Sequence, residues 1–141
     1  MPCTGSARAP RAVRLVPHAL RAIWFIQCVY YIATAVPAIV SRRFFESVTG
    51  PKADYWLVDM VALLIIVIGA AIGIAAWRRS FTIEMLVLSI GGAASFALID
   101  IVYALRGRIS RVYLWDALVE IIIILAILIF ARGGHTSTGS V

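Results

Sequence analysis

The chain of 141 residues has one lysine, two histidines and two cysteines. Cys3 lies in a polar N-terminal run and Cys28 in an apolar one, so they make no disulfide framework. There is no Cys-x-x-Cys pair, which excludes a quinone-linked thiol oxidoreductase. Serine, cysteine and zinc hydrolase motifs are missing, and so are phosphate-cradling glycine loops. Charge is scarce as well: Asp, Glu, Lys and Arg make up 14% of residues, against about 25% in soluble domains. No basic face is interleaved with stacking aromatics, so nucleic acid is excluded as a partner despite the net charge of +6. The anionic surface of a lipid bilayer is the partner that fits arginines placed between apolar runs.

Apolar sequence fills the remainder. Hydrophobic residues reach 62% and the mean hydropathy is +0.98, too much for a water-soluble surface of this size. Four runs meet the length of about 20 apolar residues that a hydrocarbon core of about 30 Å requires. They are residues 20–40, 56–77, 81–105 and 113–130. None alternates as barrel strands do, and lipid supplies no water for bare backbone, so each is predicted to be a helix. The predicted fold is all-α, an antiparallel bundle of four transmembrane helices over residues 18–132. Residues 1–17 and 133–141 form polar tails that are expected to be disordered.

The boundaries carry their own marks. Trp56, Trp77, Tyr113 and Trp115 stand where interfacial aromatic belts stand. Arg78-Arg79-Ser80 is so short a link that the second and third spans are expected to be antiparallel neighbours. Asp54 is expected to cap the second span, Ser110 the fourth, and Pro37 to kink or end the first. Arginines ahead of "ATA" at 33–35 also resemble a signal peptide, but the apolar run continues to Val40 and reads as an uncleaved span. The location expected is the inner or plasma membrane. Basic residues divide seven (Arg8, Arg11, Arg14, Arg21, Arg78, Arg79, Arg132) to six (Arg42, Arg43, Lys52, Arg106, Arg108, Arg111) between the two sides. The orientation adopted places both termini in the cytoplasm.

Small residues mark two helix faces, Gly69-x-x-x-Gly73 and Gly91-Gly92 with Ser95. Such spacing lets helix backbones approach closely in lipid. It fits tight packing inside one bundle, with a homo-oligomer through the Gly69/Gly73 or Gly91/Ser95 face as the alternative.

The acids show the most informative pattern. Glu46, Asp54, Asp59, Asp100, Asp116 and Glu120 map to one side of the membrane, and only Glu84 to the other. Asp59, Asp100 and Glu120 lie inside spans, each roughly 5–10 Å from the nearest span end at the helical rise. Gly73 lies about 40° from Asp59 around its helix, which points Asp59 inward if the glycine face is the packed one. Intramembrane carboxylates mark ligand or proton pathways by default. The candidate ligand- or proton-binding set is therefore Asp59, Asp100, Asp116 and Glu120 with Tyr103, Tyr113 and Trp56. Lys52, Asp54, Arg106 and Arg108 form its rim. The competing reading is an ion network in which Arg106, Arg108 and Arg111 neutralise the acids and only fix topology. No histidine joins the acids, so neither a metal nor a cofactor is expected.

Gly50-Pro51-Lys52-x-Asp54-x-Trp56-Leu57-Val58 and Asp100-x-x-Tyr103 resemble a family of small, largely uncharacterised bacterial four-helix integral membrane proteins. The likeness covers residues 20–130. It implies the fold and a membrane location and assigns no catalytic residue. Small multidrug transporters are similar in size but depend on a glutamate in the first span, where this chain has Gln27. Sterol-isomerase-like membrane proteins share the acid-aromatic theme but differ in helix count and in having intramembrane histidine. The function expected is binding or transport of a small polar, cationic or amphipathic ligand, with proton coupling. A structural subunit and a lipid isomerase working through paired carboxylates are the alternatives.

Overall fold

The computed structural model describes residues 18–133, with side chains described through Ala131. The polar tails, with Cys3, His135 and the arginines at 8, 11 and 14, lie outside the described residues, as does the side chain of Arg132. Five helices follow in order: α1 His18–Val40, α2 Arg42–Thr49, α3 Tyr55–Arg78, α4 Ile83–Leu105 and α5 Tyr113–Gly133. Four of them (α1, α3, α4 and α5) are long and apolar enough to cross a bilayer. The protein is a multi-pass integral membrane protein with an all-α four-helix membrane domain.

The helix ends follow local chemistry. α1 runs through Pro37 for one more turn, because the carbonyl of Pro37 still accepts from the Ser41 N–H at 3.0 Å. Pro37 therefore does not end the helix. The hydroxyl of Thr82 accepts from Met85 N–H at the start of α4, so this helix begins at Ile83. Asp54 occupies the N-cap position of α3 without a side-chain cap bond. Ser110 Oγ accepts from the Val112 N–H at 3.4 Å, just ahead of α5. Arg79 closes α3 in the left-handed conformation, φ 54°, with its N–H on the carbonyls of Ala75 and Ala76.

α2 was not expected. Its sequence RRFFESVT puts Phe44, Phe45 and Val48 on one face and Arg43, Glu46 and Ser47 on the other. An amphipathic segment of that length lies in the interface instead of crossing it.

α3 and α4 are in contact, as their short link requires, but theirs is not the largest interface. The extensive interfaces are α1 with α3 and α4 with α5. Gly69 and Gly73 explain the first. A Cβ on Gly69 would lie 3.0 Å from Tyr31 Cβ, and one on Gly73 would lie 2.6 Å from Cys28 Sγ. The glycine face is thus filled by α1 of the same chain. Gly91 and Ser95 instead border an open groove between α3 and α4, together with Val61, Leu64 and Phe96. The core sits between α1, α3 and α5, around Trp24, Tyr31, Ile72, Ala76, Ile123 and Ile127.

Candidate functional site

Three of the four proposed carboxylates come together. Asp116 and Glu120 are one turn apart on α5, about 4.5 Å and 10 Å in from Tyr113 at the helical rise. Asp100 faces them from α4, where it is 8% exposed; Glu120 is 1% exposed. Asp116 and Asp100 lie close enough to Glu120 for their charges to act on it. Buried charges are ordinarily paired, because an isolated ion in low dielectric costs many kcal/mol. Among the described residues, no arginine, lysine or histidine comes within ion-pair distance of Asp100, Asp116 or Glu120. Arg106, Arg108 and Arg111 do not plug the cluster.

Helix α1 supplies the partners instead. Tyr30 donates its hydroxyl to Asp116 Oδ1. Tyr31, itself buried, donates to Glu120 Oε2 at 3.3 Å. The Tyr31 hydroxyl in turn accepts from Gln27 Nε2 at 3.2 Å. Gln27 also donates to the Ser89 carbonyl at 3.1 Å and accepts from Ser89 Oγ at 2.5 Å. A hydrogen-bonded thread therefore runs from Glu120 on α5 through α1 to Ser89 on α4. Ser89 lies about 9 Å from the opposite end of α4 at the helical rise. Asp100 Oδ2 stands apart from the thread: it is buried with no hydrogen-bond partner, the kind of group whose burial is expensive.

Asp59 corrects the expectation of a carboxylate layer shared by three helices. It forms an ion pair with Arg42 at 3.2 Å, with side chains 35% and 57% exposed respectively. Arg42 also lies over the Tyr55 ring at 4.7 Å. Asp59 shares the side of α3 that carries Gly73, but that side looks at α1 and α2, not at α4 and α5. Because the pair is exposed, losing it is expected to cost under ~1 kcal/mol. A double-mutant cycle of Arg42→Ala and Asp59→Ala on thermal unfolding in detergent checks this, and the coupling should fade with added salt.

The remaining proposed residues divide. Trp56 and Tyr103 are exposed on the outer surface. Tyr103 is three positions from Asp100, about 60° around the helix, enough to leave the buried face. Asp54, Arg106 and Arg108 are also exposed. Tyr113 and Lys52 do join the site. Lys52 Nζ lies 5.0 Å from the centroid of Tyr113 and 5.8 Å from that of Phe45, and donates to the Thr49 carbonyl at 3.3 Å.

Lys52, Tyr113 and Asp116 line a half-open cavity of about 540 Å³. Its walls are otherwise mostly apolar: Ala35 and Ala38 from α1, Phe44, Phe45 and Val48 from α2, and Leu57, Val58, Val61, Ala62 and Ile65 from α3. Here α2 has a purpose that the sequence reading missed, because its apolar face forms one wall. Tyr30, Tyr31, Gln27 and Ser89 were missed too. The signal available was an adjacent Tyr-Tyr pair inside a span, with Gln27 four residues before Tyr31 on the same face.

No group of three or more His, Cys, Asp or Glu able to hold a metal ion occurs among the described residues. Comparison of this chain with protein-family models, with curated proteins and with solved structures found no match.

Proposed function

We propose that the protein binds an amphipathic molecule in the cavity between α1, α2, α3 and the start of α5, and that the carboxyl groups beneath it take up and release protons as the cavity fills and empties. One observation carries this reading: an apolar cavity whose inner wall holds Asp116, one helical turn above the buried Glu120. The apolar walls suit a hydrocarbon body, and Lys52 and Asp116 suit a polar end. Ligand pockets of this kind, mostly apolar with a few placed polar groups, have typical volumes of about 300–1,000 Å³. The scaffold alternative loses its main support, because among the described residues no arginine neutralises Asp100, Asp116 or Glu120; only Asp59 has one, Arg42.

The test is to fill the cavity. Ala62 is buried on its wall, and Ala62→Phe places a ring there. Protein purified from membranes should carry a co-purifying amphiphile by native mass spectrometry, and Ala62→Phe should lose it. Equal retention by the variant, with its helical content intact, would refute binding at this cavity.

A further inference from the structure

Two opposite charges line one apolar cavity and do not neutralise each other. Lys52 is held by the Thr49 carbonyl and by the faces of Phe45 and Tyr113. Among the described residues, it has no carboxylate within ion-pair distance. Asp116 accepts from the Tyr30 hydroxyl and has no cation within that distance. Both reach the same cavity. Tyr113 lies under Lys52, and Asp116 follows three residues later on α5, about 4.5 Å further along the axis. The ring that Lys52 touches and the carboxylate of Asp116 thus start about one helical turn apart on α5, at the wall of one cavity.

A purely anionic amphiphile would satisfy Lys52 and be repelled by Asp116. A purely cationic one would meet the reverse. We infer that the cavity takes an amphiphile whose head group is zwitterionic, with a phosphate toward Lys52 and an ammonium toward Asp116, and one hydrocarbon chain among the apolar walls. The inference rests on the cavity being a binding site and names the head group it selects. Lysine serves phosphate as a point charge that tolerates varied approach. The carboxylate of Asp116 accepts the ammonium protons, and the Tyr113 ring beside Lys52 offers the short linker an apolar surface. A cavity of about 540 Å³ fits one acyl chain of a bilayer lipid, while a second chain stays in the membrane through the open side.

The experiment uses the full chain in delipidated detergent micelles, with lipid binding followed by native mass spectrometry. Phosphatidylethanolamine and phosphatidylglycerol of identical chains are compared, and soluble phosphoethanolamine serves as competitor. Wild-type protein should prefer phosphatidylethanolamine by about tenfold, the step one charge-assisted contact supplies. Asp116→Asn should reduce that preference toward unity while phosphatidylglycerol binding holds or rises. Lys52→Gln should weaken both lipids. Competition by soluble phosphoethanolamine would assign the selectivity to the head group alone; its failure to compete, with the lipid preference intact, would assign the site to a bilayer lipid. Equal or tighter binding of phosphatidylglycerol by the wild type would overturn the inference without needing any variant. If lipid binding is lost in Ala62→Phe but shows no head-group preference, the cavity stands and the zwitterion fails. If Ala62→Phe binds both lipids as wild type does, the cavity reading fails as well.

Discussion

Gly73→Leu is expected to separate α1 from α3 and destroy the folded bundle. Even the Cβ alone would lie 2.6 Å from Cys28 Sγ, closer than real Cβ atoms approach, and 3.2 Å from Cys28 Cβ, a contact tighter than most. Gly73→Ala should therefore cost about 1–3 kcal/mol, the usual range for overpacking, and leucine more. Cys28→Ala removes the sulfur but leaves the contact with its Cβ, so it should restore part of the loss in Gly73→Ala and little in Gly73→Leu. Gly91→Ala is the matched control: its Cβ meets nothing within 4 Å. Removing a helical glycine there should stabilise by roughly 0.5–1 kcal/mol. Unfolding in mixed micelles, followed by circular dichroism, measures each single and double variant. The close approach is refuted if Gly73→Ala and Gly91→Ala shift the midpoint alike.

Asp100 should show the opposite conflict, gaining stability when its chemistry is removed. Its Oδ2 is buried without a partner, and an unsatisfied buried polar group costs about 1–3 kcal/mol, more when charged. Asp100→Leu is expected to stabilise the bundle by that order, since the side chain is enclosed on the α5-facing side of α4. Asp100→Asn keeps the shape and the polarity but cannot exchange a proton. If the carboxyl cluster moves protons as the cavity empties, ligand uptake into proteoliposomes should follow an imposed pH gradient in the wild type. That dependence should vanish in both variants, while Ala62→Phe loses uptake under every condition. Gradient-driven uptake that survives in Asp100→Asn would remove Asp100 from the proton path. Destabilisation by leucine would show that Asp100 is satisfied within the folded protein.

Glu120 and Asp100 illustrate how far the residues could be read without a fold. Their distance from the helix ends follows from counting along a helix, and the structure keeps both inside α4 and α5 at those positions. Asp59 lies a similar distance inside α3, but it belongs to Arg42. The count gives height and direction on one helix. It does not say which helix stands opposite. Tyr30 and Tyr31 show the reverse error: they read as ordinary span residues until α1 is placed beside α5, where they become the hydroxyl donors to Asp116 and Glu120.

What the sequence by itself determined are the properties that depend on one segment and its solvent. Length and hydropathy decide that four segments cross the bilayer, because the cost of bare backbone in hydrocarbon leaves no other form. Gly69 and Gly73 announce a close helix contact, and the distribution of acids places them near one face. Only the tertiary structure decided which helix fills the glycine face, which acids share a pocket and which finds an arginine, and that a short amphipathic helix walls the cavity. The reason is physical. Inside a membrane, apolar burial does not choose between neighbours, so pairing rests on shape and on a few hydrogen bonds, both of which depend on residues far apart in the chain.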